Sequence, residues 1–202
     1  PQMSARENIL AAIRARRLAA TPMPAPYRPA PQPGDAIAFF TERALAAHAE
    51  VRVIASIRNA PEAIAAALRE RNLAARIHLP PGSALNAMAW NGMTVEQTAP
   101  GPDDTAIALA PFGISETGTL VYASGTATPA SWHFRAGFEI AILRADAITP
   151  HLEDVIAQIK SSGLLPHTVN LVTGPSRTGD IEQTLELGAH GPKNLAILIV
   201  RD

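Results

Sequence analysis

Apolar positions recur along the chain with two periods, one helical and one strand-like. Ser4-Ala5-Arg6-Glu7 has the spacing of a capping box, and Ile9, Leu10 and Ile13 follow on one helical face. This predicts a short amphipathic helix over about residues 4–18. Pro22, Pro24, Pro26, Pro29, Pro31 and Pro33 come next, and a stretch so rich in proline holds no helix but prefers extended, polyproline-like geometry. It reads as a stiff strap that carries the first helix away from the rest of the chain.

From Asp35 helix and strand patterns alternate. Asp35 can cap a helix carrying Phe39, Phe40 and Leu45, and Val51–Ile54 reads as a strand. Pro61 marks a helix start with Ile64 and Leu68 four apart, followed by a strand over 75–79 and a Pro80-Pro81-Gly82 turn. A short helix near Leu85–Trp90 and a brief strand near Val95 follow. Thr105–Ala110, Thr119–Ala123, Phe138–Leu143 and Thr168–Val172 read as strands, and residues 149–160 as a helix. Asn194–Val200 is a near-continuous apolar run of the kind buried on both faces of a parallel sheet. The alternation predicts an α/β fold, a mostly parallel sheet covered by helices on both faces. The expected organisation is an N-terminal helix over 1–20, a proline-rich linker over 21–34 and an α/β domain over 35–202.

Composition narrows the function classes. An apolar fraction of 47% with 17% charged residues fits a compact domain, and with aromatics at 4% its core must be filled by small aliphatic side chains. A net charge of −1 with no basic stripe argues against nucleic acid as a partner. The absence of cysteine excludes disulfides, thiol catalysis and thiolate-held zinc or iron–sulfur clusters within this chain. No apolar run approaches the roughly 20 residues that span a bilayer, so a cytoplasmic location is expected.

Two segments carry polar residues that neither core nor plain turn requires. The first, Gly113-Ile114-Ser115-Glu116-Thr117-Gly118-Thr119, lies between two predicted buried strands. Ser115, Thr117, Gly118 and Thr119 can bind a ligand through hydroxyls and loop amides. Glu116 is the sharpest catalytic candidate, as general acid or base or as carboxylate nucleophile. The structural alternative is a carboxylate that accepts loop amide hydrogen bonds. The second segment runs from Thr173 to Pro192. Ser176, Arg177 and Thr178 offer two hydroxyls and a cationic fork for a carboxylate or phosphate. Asp180 and Glu182 can orient Arg177 or serve in acid–base work, and Asp180 is the second catalytic candidate. The structural alternative has Asp180 capping a short helix through Ile181–Leu187, ended by Gly188. His190 and Gly191 are further ligand-binding candidates, His190 alternatively being a hydrogen-bonded loop histidine. The remaining histidines lack HxxxH or HxH spacing, so no metal site is expected. No GxGxxG, Walker A or GxSxG sequence is present, and no cofactor is identifiable.

Gly113–Val121 resembles the "ETGT" loop of the lactate-utilisation (LUD) family, and Pro175–Pro192 resembles its "PSRT-x-DIE…G-x-HGP" signature. The chain is thereby identified as a member of that family's cysteine-free, LutC-like branch. The resemblance implies a three-layer α/β/α fold similar to the NagB/RpiA/CoA-transferase superfamily. It also implies a role in oxidising L-lactate to pyruvate beside two iron–sulfur partner proteins; the two polar segments would then bind a small anionic ligand or the partner subunits. In CoA-transferase relatives a glutamate attacks an acyl-CoA, so the competing expectation is a stand-alone transferase or isomerase using Glu116. A third is an assembly module in which strap and helical arm reach a partner or a second copy in a homo-oligomer.

Overall fold

The structure is a computed structural model that describes residues 4–16, 25, 27, 29–30, 34–163, 166–179, 185–187 and 191–202, with backbone only at 178–179 and 185–187. Helix α1 (Ala5–Ala15) and helix α2 (Ala36–Ala46) precede strand β1 (Glu50–Ile54), helix α3 (Ala60–Glu70), β2 (Arg76–His78) and β3 (Thr94–Glu96). The middle of the chain forms β4 (Thr105–Ala110), β5 (Phe112–Ile114), β6 (Thr119–Ala123), α4 (Ala130–Arg135), β7 (Phe138–Arg144) and β8 (Ile148–Thr149). Helix α5 (Leu152–Ser161), β9 (Val169–Val172), β10 (Arg177–Gly179), β11 (Leu185–Leu187) and β12 (Asn194–Val200) complete it.

Six strands form one sheet in the order β1-β12-β7-β4-β2-β3, and every pair in it is parallel. The chain is therefore an α/β protein with a mostly parallel sheet, as the alternation predicts. Parallel strands need crossovers that cover both faces, and this makes β12 and β7 apolar at successive positions rather than alternate ones. On one face α3 buries Ile64 and Leu68, four apart, against Ile77, Ile107, Ile140, Ile142 and Leu198. Pro61 opens α3, where its missing N–H costs nothing.

On the other face α2, capped by Asp35 through the Ile37 amide at 2.9 Å, buries Phe40 and Ala44. Ala108 and Ala141 on the sheet beneath leave room for them. The rest of that face is covered by a second sheet of four strands, β8-β5-β6-β9, and α5 packs Val155 and Ile159 on its far side. The sequence reading had helices directly on both faces. Of the four inserted strands, β6 and β9 match strands expected from the sequence, whereas β5 and β8 are three and two residues long and pair across distant sequence, Gly113 beside Ile148, so the second sheet was not legible. Of the helix expected over 149–160, Thr149 belongs to β8 and the helix itself begins at Leu152, and the helix expected near Leu85–Trp90 is a 3-10 turn over Ala84–Ala87.

A correction falls on the second polar segment. Leu185–Leu187, the end of the helix weighed for Ile181–Leu187, is a strand paired antiparallel with Arg177–Gly179. Leu185-Glu186-Leu187 alternates with period two, and pairing with β10 satisfies its backbone groups across the hairpin. Helix α1 has the capping box anticipated from Ser4 and Glu7, but its apolar face is exposed, with Ile9 at 60% and Ile13 at 62%.

Candidate functional site

The first polar segment is a tight turn joining β5 to β6. Its backbone is tied to the residues after β8: the Ser115 amide donates to the Thr149 carbonyl at 2.9 Å and the Glu116 amide to the Pro150 carbonyl at 3.2 Å. Gly118 closes the turn at φ 66°, where a Cβ would run into the backbone of Arg43 and Ala44. Only glycine satisfies both the left-handed conformation and that close approach to α2.

This turn places Thr119 inside and Glu116 outside. The hydroxyls of Thr117 and Thr119 lie 2.7 Å apart, and that of Thr119 lies 2.6 Å from the hydroxyl of Thr173. Thr173 begins the second polar segment, so the two segments meet through a chain of three hydroxyls. Beyond it lies an open cavity of about 160 Å³ lined by residues 171–176, Gly191 and Pro192, with Phe134 as its aromatic wall. The Ser176 amide donates to the Pro192 carbonyl at 2.9 Å, and a Cβ on Gly191 would lie 3.1 Å from that of Ser176. Thus Ser176 and Gly191 come together, while Arg177 follows with an exposed side chain. Thr178 is described in backbone alone, and Asp180, Glu182 and His190 lie outside the described residues.

Glu116 is 58% exposed in its side chain and engages His151, a residue that sequence spacing does not single out. His151 Nδ1 lies 3.0 Å from Glu116 Oε2, and His151 Nε2 lies 2.9 Å from the carbonyl oxygen of Ala30. The hydrogen bond to Glu116, more than any other influence, raises the His151 pKa above the ordinary imidazole value. Nothing local in the sequence foretells a contact between residues 121 positions apart.

The comparisons with known proteins agree with the motifs. The LUD domain family model matches residues 37–200. This chain belongs to the LUD domain family. Lactate utilization protein C of Geobacillus kaustophilus is 34% identical over 103 residues, which cover 49% of this chain and 43% of that protein. The protein YkgG of Escherichia coli is 25% identical over 123 residues, 58% of this chain and 53% of its own. The chain spans about half the length of the curated relatives it matches. A crystal structure of a DUF162 family protein from Deinococcus radiodurans shares the fold, with a TM-score of 0.62 over 82% of this chain and 96% of that one at 21% identity.

Two features of this LUD domain lie outside both motifs. One is a buried polar cluster between the sheets. Glu139 sits fully buried on β7, its Oε1 accepting from the Tyr122 hydroxyl at 3.0 Å and lying 2.8 Å from His133 Nδ1. The Tyr122 and His133 rings stack with centroids 3.7 Å apart. Burial first, and Glu139 second, push the Tyr122 hydroxyl far above the ordinary phenol range, so it stays a donor. A signal was available here, since a glutamate inside the apolar run Phe138–Leu143 needs partners.

The other is a cavity of about 390 Å³ lined by Pro111, Phe112, Pro166 and the loop 123–128. It adjoins the carboxyl end of β4, and Thr126 of its loop touches Gly82, which follows β2. The chain leaves β2 toward β3 and leaves β4 toward β7, in opposite directions, so the LUD domain has its topological switch point between them. Among the described residues no group of three His, Asp or Glu side chains is placed to hold a metal ion, and no helix is long and apolar enough to cross a membrane.

Proposed function

We propose that this LUD domain serves L-lactate utilisation, the oxidation of lactate to pyruvate, as a subunit that holds a small carboxylate beside iron–sulfur partner proteins. The observation that carries the reading is the contact between Thr119 and Thr173, which ties the first polar segment to the start of the second, where Thr173, Gly174, Ser176 and Gly191 help line a small cavity. Hydroxyl groups and tightly folded backbone suit a carboxylate, and Arg177 is the adjacent cation. The similarity to proteins named lactate utilization protein C supplies the substrate class. Oxidation of lactate removes the hydroxyl proton, the hydrogen on the adjacent carbon and two electrons in all. A chain without cysteine offers no thiolate-held cluster to take those electrons, which is why the reading assigns them to partners. Its own task is to bind and orient the acid. The engagement of Glu116 by His151 supports an anchoring role for that carboxylate over a nucleophilic one.

Lactate-dependent dye reduction by the iron–sulfur partners tests this, measured without the chain, with it, and with Ser176→Leu, which fills the cavity. The expected outcome is activity that requires the chain and falls by at least about tenfold with the variant, a loss of roughly 1.4 kcal/mol in transition-state stabilisation. Partners that reduce dye equally well alone would sink the reading.

A further inference from the structure

We propose that the cavity at the topological switch point is a second binding site, one that takes a flat, uncharged heteroaromatic ring of the adenine or isoalloxazine kind. Its place comes from the strand order. β2 and β4 lie side by side and the chain leaves them in opposite directions, which opens a crevice beyond their carboxyl ends. β4 ends at Ala110 and runs directly into Pro111 and Phe112, which form one wall of the cavity; the loop 123–128 forms another.

The loop is held in place by its own bonds. The Ser124 amide donates to the Thr168 carbonyl at 2.9 Å, and the Ser124 hydroxyl accepts from the Thr168 amide at 2.9 Å. The Gly125 amide donates to the Thr128 carbonyl at 3.4 Å and the Thr128 amide to the Gly125 carbonyl at 3.2 Å. The Thr128 hydroxyl donates to the Ala123 carbonyl. The loop also lies against Gly82, where a Cβ would come within 2.8 Å of the Thr126 carbonyl carbon. Braced in this way, it keeps a space of about 390 Å³ open beside Phe112, where side chains would otherwise close up. That volume falls within the roughly 300–1,000 Å³ of small-molecule sites, and a site already formed spares a ligand the cost of ordering it.

The lining selects the ligand. Pro111, Phe112, Ala123, Ala127 and Pro166 are apolar, and no described residue that lines the cavity carries a charge. A phosphate or carboxylate would find no cation there to replace its water. A flat ring does fit, its faces on proline and phenylalanine and its polar edge toward the hydroxyls of Ser124 and Thr126. The Ser124 hydroxyl, having accepted from Thr168, still has its hydrogen to donate. The site is separate from the one at Thr119 and Thr173. Leu120 pairs with Val172 and Ala123 with Val169, so the two cavities adjoin opposite ends of the β6–β9 ladder, about 10 Å apart along the strands. The inference stands whether or not lactate is the ligand of the other cavity.

Riboflavin and adenosine are the probes, titrated separately into the full chain. Riboflavin binding is read by fluorescence anisotropy and adenosine binding by saturation-transfer difference NMR. Saturable binding of at least one is expected, and the one that binds identifies the ring. Ala127→Trp, at an exposed position of the loop, should fill the cavity and raise the Kd at least about tenfold. Gly82→Ala, which forces Thr126 to shift, should weaken binding as well. Ser176→Leu, in the other cavity, should leave the Kd unchanged, so this proposal and the lactate reading fail separately. Absence of saturable binding by both probes would overturn the proposal. So would binding that Ala127→Trp and Gly82→Ala leave intact, or that Ser176→Leu abolishes in their stead. Circular dichroism confirms the fold of each variant, and Gly82→Ala keeps the test decisive if Ala127→Trp disturbs it.

Discussion

The buried cluster of Tyr122, His133 and Glu139 sets a demanding prediction, because removing one member should cost more than removing all three. Glu139→Met deletes the acceptor shared by the Tyr122 hydroxyl and His133 Nδ1, both enclosed between the sheets. Each group then loses its partner without gaining water, and leaving a buried polar group unsatisfied costs about 1–3 kcal/mol, so the two together cost about 2–6 kcal/mol. That is a large part of the roughly 5–15 kcal/mol that holds a domain together. The triple variant Tyr122→Phe, His133→Leu, Glu139→Met removes donors and acceptor together and keeps much of the volume. It should lie within about 1.5 kcal/mol of the parent. Urea unfolding followed by circular dichroism separates the two. With a slope of about 2 kcal/mol per molar urea, the single variant should unfold about 2 M earlier and the triple less than about 1 M earlier. A single variant as stable as the parent would refute the reasoning. So would a triple variant worse than the single, since the cost would then lie in packing and not in orphaned polar groups.

Other expectations follow from individual contacts. Gly118→Ala should destabilise by at least about 2 kcal/mol, from the left-handed backbone and the collision with α2, read as a lowered thermal midpoint. Asp104 has its pKa lowered, chiefly by the Gly101 amide and further by His78 and Arg76. Its contribution is therefore present above the unfolded-state carboxylate value and lost as pH falls through the depressed one. Asp104→Asn should flatten the acid side of a stability–pH curve; an unchanged acid limb would count against this assignment.

What the sequence disclosed depended on whether the deciding interaction was local. Asn194–Val200 and Thr105–Ala110 were legible because strands buried on both faces are apolar without interruption. Helix α3 was legible from Pro61 and the four-residue spacing of Ile64 and Leu68. Strands β5 and β8 were not, being short and defined only by partners far away in the chain. Helix α4 was missed as well, with six residues and no side-chain cap to announce it. Within the candidate site, composition drew attention to Thr119 and Ser176, but the meeting of Thr119 with Thr173 is a product of the pairing between β6 and β9. Glu116 was conspicuous for the same compositional reason, yet its partner His151 lay among the scattered histidines, where spacing carries no information about a tertiary contact.

The place of β12 in the sheet bears on how the protein is made. It lies between β1 and β7, so among the described strands the first and a middle one are joined through β12, far later in the sequence. On the ribosome β1 must wait, its apolar edge unpaired, until residue 200 has emerged. Contacts of such long sequence separation are slow to form, and a waiting strand is open to the wrong neighbour. Synthesis that stalls before β12 would leave two open edges at once, so nascent chains should lean on chaperones most heavily until β12 has emerged.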